Sequence, residues 1–193
     1  MYSINKQKNT KPANIKQNRF LSIAKINTPI FQVDDLARIW GVNNRNTLLT
    51  SLKRYVKDAL IYRLHRGLYS IKPASELDPL LLGSKALNGY CYLSGETILA
   101  KHGIIFQQVE YFTFMGEKSR RFKIGDYKYY CRQIKDKFLY NDTGVDKTGK
   151  FNIATLERAV ADILYFNPKY HFDNTGVINW KKVKRIQKTV YNK

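Results

Sequence analysis

The sequence predicts an α+β fold, and three observations carry that prediction. Residues 29–72, PIFQVDDLARIWGVNNRNTLLTSLKRYVKDALIYRLHRGLYSIK, hold two runs with apolar residues at helical spacing and then two short apolar runs around Arg66-Gly67. Residues 111–133 are rich in strand-forming side chains. Residues 156–166 return to helical spacing behind Thr155, a residue type that caps helix N-termini.

Taken in order, Met1 to Gln17 is polar, rich in Lys, Asn and Gln, and lacks periodic apolar residues, so burial cannot offset its ordering entropy. It reads as a flexible basic tail, either a frayed terminus or an arm able to enter a minor groove. Phe20, Leu21, Ile23, Ala24 and Ile26 predict a first helix over 18–26, closed by Thr28-Pro29. A second helix starts near Val33 or Asp34, where Asp34 and Asp35 meet the positive end of the helix dipole. Val33, Leu36, Ala37 and Trp40 share one apolar side, and Gly41 ends the helix because it takes positive φ freely. After the turn at Val42 and Asn43, a third helix runs from about Asn44 to Asp58, capped by Asn43 or Asn44 and buried along Leu48, Leu52, Tyr55 and Val56. Ile61–Leu64 and Leu68–Ile71 then make a hairpin.

That order of elements over 18–73 is a winged helix-turn-helix. Its third helix leaves Arg45, Asn46, Thr47, Thr50, Ser51 and Arg54 outward, with Asn44 and Lys53 beside them. Such side chains hydrogen-bond base edges and phosphates, Arg bidentate to guanine and Asn bidentate to adenine. Arg63, His65 and Arg66 at the hairpin tip are placed to reach phosphates or the neighbouring minor groove. The same pattern also suits a small interaction module with a solvated basic face.

Charge favours the first reading. The formal net charge is +19, with pI near 9.9, which points to a polyanionic partner. An AT-rich coding bias also produces Lys, Asn, Ile and Tyr, so position decides more than the total. Residues 1–72 carry 14 basic and 3 acidic side chains, +11, while the remaining 121 carry 20 and 12, +8. With 44% hydrophobic and 13% aromatic residues, the chain can bury a core. Cys91 and Cys131 form no CxxC, and His65, His102 and His171 are equally scattered, so metal-ligand spacing is absent and no cofactor is implied. No leader-like or membrane-spanning apolar run is present, which predicts a cytoplasmic protein with no membrane partner.

Residues 74–88 read as a connector with a short apolar helix, PLLLGSKAL, ending at Asn88-Gly89. Residues 89–193 read as a mixed α+β domain. GYCYLSGETILAKH gives a strand and a helix, with Ser94 as N-cap, Glu96 in the first turn and Gly103 as the stop. Strands follow at Tyr111–Met115, Arg121–Ile124 and Tyr127–Gln133, the last two joined at Gly125-Asp126. Lys135–Lys150 reads as a loop, Phe151–Ile153 as a strand, and Leu156–Phe166 as a helix with Leu156, Ala159, Val160, Ile163 and Leu164 on its apolar face. A last basic helix, Asn179–Tyr191, is expected to bury Trp180, Val183, Ile186 and Val190.

The succession SLKRYVKDALIYRLHRGLYSIKP, GYCYLSGETILAKHGII and FNIATLERAVADILYFNP resembles the AbiEi-type antitoxins of type IV toxin-antitoxin systems, over about 31–168. The resemblance implies a transcriptional repressor of its own operon that binds promoter inverted repeats in double-stranded DNA. It further implies a C-terminal domain that counters a nucleotidyltransferase-like toxin without a stable complex. The residues carried over are Arg45, Asn46, Thr47, Thr50, Ser51 and Arg54 on the helix and Arg63, His65 and Arg66 on the wing.

Enzyme readings have less behind them. Asp126-Tyr127-Lys128 with Glu110 upstream supplies part of a metal-dependent nuclease pattern, which needs carboxylates converging on a divalent ion. Gly125-Asp126, however, reads as a hairpin turn. Gly83-Ser84 is not followed by the paired Asp that a nucleotidyltransferase uses, and nothing ties Ser94 or Ser119 to His102 as a triad.

Overall fold

The computed structural model describes residues 12–192, which form two compact units divided between Pro73 and Ala74. Each has its own core.

In the first unit the order is α1 (Pro12–Ala24), β1 (Ile30–Gln32), α2 (Val33–Trp40), α3 (Arg45–Lys57), β2 (Tyr62–His65) and β3 (Leu68–Ser70). Both α2 and α3 match the sequence-derived helices. Asp35 accepts the Gln32 N–H at 3.0 Å at the start of α2, and Gly41, at φ 60°, closes it with its N–H on the Ala37 and Arg38 carbonyls. Asn44 caps α3 by accepting from the Thr47 N–H at 3.0 Å. Strand β3 lies between β1 and β2, antiparallel to both, and β2 is bulged between Arg63 and His65. The turn back into β3 places Gly67 at φ 76°, and the Val33 N–H donates to its carbonyl at 3.0 Å, fixing the hairpin to the start of α2.

Ile23, Phe31, Leu36, Trp40, Leu48, Leu52, Tyr55, Ile61 and Tyr69 are among the residues of one apolar cluster. Helix α1 starts earlier than the apolar pattern indicates. Residues 12–17, expected in the tail, are helical, while the rest of that tail, 1–11, lies outside the described residues. Two aromatic side chains hold the helix at Lys16 and Arg19. The Trp40 indole N–H donates to the Arg19 carbonyl at 3.0 Å and the Tyr55 hydroxyl to the Lys16 carbonyl at 3.0 Å, their rings packing at 5.0 Å.

The second unit is a six-stranded sheet with helices. Its elements are α4 (Pro79–Leu87), β4 (Cys91–Leu93), α5 (Glu96–Lys101), β5 (Phe112–Gly116), β6 (Arg120–Ile124), β7 (Tyr127–Gln133), α6 (Asp136–Leu139), β8 (Val145–Asp146), β9 (Asn152–Ala154), α7 (Leu156–Phe166) and α8 (Trp180–Ile186), with a π turn at Gln187–Tyr191. Strand order is β6-β7-β5-β4-β9-β8; β7–β5 and β4–β9 pair parallel and the other neighbours antiparallel. Helix α4 is part of this unit and not a connector, since Leu81, Leu82 and Leu87 are buried and Gly83 lies against Tyr129 so closely that a Cβ would sit 2.4 Å from the ring. The expected loop 135–150 contains α6 and β8, elements too short for periodicity to reveal. Trp180 is 39% exposed, with Phe172 at 6.0 Å between ring centroids, so it lies off the buried side of α8 formed by Val183 and Ile186. Cys91 and Cys131 are buried free thiols, and burial pushes Cys131 up to about 12.

The core of this unit is organised around a charge pair. Arg158 and Asp162, one turn apart on α7, are both fully buried, with Arg158 Nε donating to Asp162 Oδ1 at 2.8 Å. The remaining guanidinium hydrogens reach the carbonyls of Asn141 and Thr143, the carbonyl of Phe138 and the Tyr92 hydroxyl, all within 2.9 Å. Asp162 accepts from Ser94 at 2.6 Å and from the Tyr191 hydroxyl. Ser94 is therefore not the cap of α5: Gly95 stands there, and the Ser94 hydroxyl is spent on Asp162.

Two substitutions separate the cores. Leu52→Ala should lower the first unit's stability by about 2–5 kcal/mol through the cavity it leaves, and Arg158→Ala the second by about 3–5 kcal/mol through an uncompensated buried carboxylate. Hydrogen exchange followed residue by residue reads each loss; protection unchanged in the substituted unit contradicts the assignment.

Candidate nucleic-acid interface

Helical geometry sorts the outer face of α3. With Leu48, Leu52 and Tyr55 buried, Asn46, Thr50, Lys53 and Lys57 follow one another at spacings of four, three and four along the opposite side, and all four are exposed. Thr47 and Arg54 are exposed on one flank, and Leu49, 40% exposed, lies on the other. Arg45, in the first turn, is exposed and faces Asp34 at 3.5 Å, an exposed pair that water and salt screen readily.

The predicted residues do not all stand equally free. Asn44 uses its side-chain oxygen as the helix cap. Ser51 is half-buried, and its hydroxyl donates to the Thr47 carbonyl of its own helix at 2.9 Å, which withdraws it from base contact. It lines, with Arg54, Lys57, Ile15 and Arg19, a groove of about 580 Å³ between α1 and α3. On the hairpin, Arg63 and Arg66 are exposed, whereas His65 is half-buried and registered against Leu68. Lys57 and Leu49, which the sequence reading does not nominate, are also exposed on the outer face of α3. Lys57 continues the row Asn46, Thr50, Lys53, a signal present in the spacing; Leu49 has the apolar contact surface that a thymine methyl takes.

The acids of this unit are drawn into structural pairs. Asp35 holds the Gln32 N–H and Arg38, Asp58 pairs with Lys16, and Asp34 faces Arg45. Among the described residues, Lys53, Arg54 and Lys57 on α3 and Arg63 and Arg66 on the hairpin pair with no acid, so the surface is electropositive where side chains are most accessible.

The residues proposed for metal-dependent chemistry do not converge. Asp126 is fully exposed at the β6–β7 turn with Lys123 at 3.9 Å, while Glu110 pairs with Lys128. Among the described residues no three carboxylates, thiols or imidazoles gather as metal ligands. His102 is exposed at the C-terminal cap of α5, and the hydroxyl of Ser94 is occupied by Asp162. Among the described residues no helix is long and apolar enough to cross a membrane. No protein-family model matches the chain, and no curated protein matches it.

Asn46→Ala should weaken binding to a specific duplex by about 1–3 kcal/mol and relax base preference, as loss of a base-edge contact does. Ser51→Ala should leave affinity within about 0.5 kcal/mol, the range of a surface change that removes no ligand contact. Fluorescence anisotropy against a selected duplex measures both, and the reverse order would reassign the reading face.

Proposed function

We propose that this chain is a DNA-binding transcription regulator whose first unit is a winged helix-turn-helix, α2 and α3 forming the helix pair and β2–β3 the wing. The observation that carries this reading is the row Asn46, Thr50, Lys53 and Lys57. It brings an amide, a hydroxyl and two cations, the groups suited to base edges and phosphates, onto one accessible side of one helix. Arg45 and Arg54 flank the row, and Arg63 and Arg66 supply the wing. In such a complex α3 enters the major groove while the wing cations neutralise phosphates alongside.

The motif order shared with AbiEi-type antitoxins extends the proposal. The DNA bound is the promoter of the chain's own operon, at inverted repeats, and the protein represses it. The second unit carries an antitoxin activity against a nucleotidyltransferase-like toxin, exerted without a stable complex. A fragment covering 74–193 then protects cells co-expressing the toxin, since that unit holds its own core.

A mobility-shift titration with the DNA upstream of the gene tests the regulatory reading. Retardation of that fragment in preference to unrelated DNA is the expected result. Failure to select it favours a protein-docking module with a basic face. Arg63→Ala and Arg66→Ala should weaken binding to all duplexes alike and reduce the slope of log affinity on log salt by about 1 each. A loss confined to one sequence would make the wing a base reader.

A further inference from the structure

We propose that the C-terminal helix of the second unit binds single-stranded nucleic acid, its cations on the phosphates and Trp180 stacked on a base. This goes beyond duplex recognition by the first unit and rests on different residues. From Gly176 to Lys193 there is no acidic residue and there are six basic ones. Lys182 pairs with Glu157 at 3.2 Å. Lys181, Lys184 and Arg185 are exposed at i, i+3 and i+4 on the side of α8 opposite Val183, and Lys188 is exposed on the π turn that follows. Like charges at these spacings repel one another, a cost that an anion lying across them relieves. A phosphate backbone is such an anion, and it releases counterions when bound.

Two further features select a single strand over a duplex. Trp180 is 39% exposed at the head of the ridge, one turn before Lys184, and Phe172 meets it edge-on at 6.0 Å. Phe106 is 76% exposed on a loop joined to the residues just after Phe172: its N–H donates to Asp173 at 2.7 Å, and the Asp173 and Asn174 N–H groups donate to the Ile104 carbonyl. Two open aromatic rings thus flank the segment 170–178. Bases that are already unstacked can lie on such rings, whereas bases inside a duplex cannot. The platform is rigid, because Val183, Ile186 and Val190 are buried and Tyr191 is bonded to Asp162. A second copy of this chain is a poor occupant, since it too carries +19. An acidic protein would satisfy the cations but gives the rings no base to stack on.

The test uses the full chain with the first unit's surface silenced by Lys53→Gln, Arg54→Gln, Lys57→Gln, Arg63→Gln and Arg66→Gln, all exposed positions. Fluorescein-labelled oligo(U) and oligo(dT) twelve-mers are titrated by anisotropy, and unlabelled strands by tryptophan fluorescence. The expected result is saturable binding that quenches the wild-type tryptophan signal, with affinity by anisotropy reduced about tenfold in Trp180→Ala and retained in Trp180→Phe. Adding Lys181→Gln, Lys184→Gln, Arg185→Gln and Lys188→Gln should reduce the salt slope by up to about 3, from about 0.7 per phosphate contact on a single strand. Tighter binding of oligo(U) than oligo(dT) identifies RNA, and the reverse identifies DNA. Absence of binding, an unchanged affinity in the four-glutamine variant, or equal competition by a duplex or by polyglutamate overturns the proposal. Because the first unit is silenced throughout, these outcomes are independent of whether it binds operator DNA.

Discussion

The second unit depends on one buried ion pair, Arg158 with Asp162. A guanidinium carries five N–H donors in a fixed plane, and here every one has a protein acceptor. Those acceptors come from β4, α6, the segment after it and α7, while Asp162 adds Ser94 and the C-terminal turn through Tyr191. Burial alone would pull the Arg158 pKa down, but the charge of Asp162 and its hydrogen bond raise it on balance. Burial, and then the Asp162 charge, pushes the Tyr191 and Tyr92 phenols well above their ordinary range, so both keep their protons. Such a pair contributes little net stability compared with apolar residues of the same size, yet removing one partner is costly. In this arrangement β4, α6, α7 and the C-terminal turn together satisfy all these donors and acceptors. Gly144 shows how closely the chain wraps it, since a Cβ there would lie 2.9 Å from the Arg158 Cβ.

The sequence displays none of this. Arg158 and Asp162 stand four apart on a helix, the spacing of an ordinary solvent-exposed pair, and nothing local says that the sheet and the C-terminus close over them. Ser94, placed one residue before Gly95 and two before Glu96, has the look of a helix cap for the same reason: its partner is 68 residues away. By contrast, α2, α3, β7 and α7 were legible to within a residue or two, because their limits are set locally. Gly41 takes positive φ, Asn44 and Thr155 cap the helices they precede, and the strand pair turns at Gly125. Helix α1 was half legible. Its periodic apolar residues begin at Phe20, but the helix begins at Pro12, the residue type that suits a first helical position, and a tertiary bond from Tyr55 reaches it at Lys16.

The candidate reading face was legible as chemistry more than as geometry. Side-chain type nominated Ser51 and His65, whereas exposure and hydrogen bonding favour Lys57 and leave Ser51 bonded within its own helix. A pattern of polar types on a helix does not say which of them turns back to the backbone, and serine does so readily.

The angle at which α3 presents this face is set from behind by α1. Tyr55 is on α3 and Trp40 ends α2, and each reaches across to a backbone carbonyl of α1 while their rings pack together. The contact joins the two helices of the turn to a common support without using any outward side chain. The acids serve the same end. Asp35 is bound at the start of α2 and Asp58 ties the end of α3 to Lys16, so negative charge is consumed in holding the helices and little is left to neutralise Lys53, Arg54 and Lys57. A surface of uncompensated cations weakens the compact state through self-repulsion. The first unit withstands it because its cohesion lies in the apolar cluster around Leu36, Leu48 and Leu52, which salt and counterions do not reach, and an anion drawn to the face relieves repulsion already built into the fold.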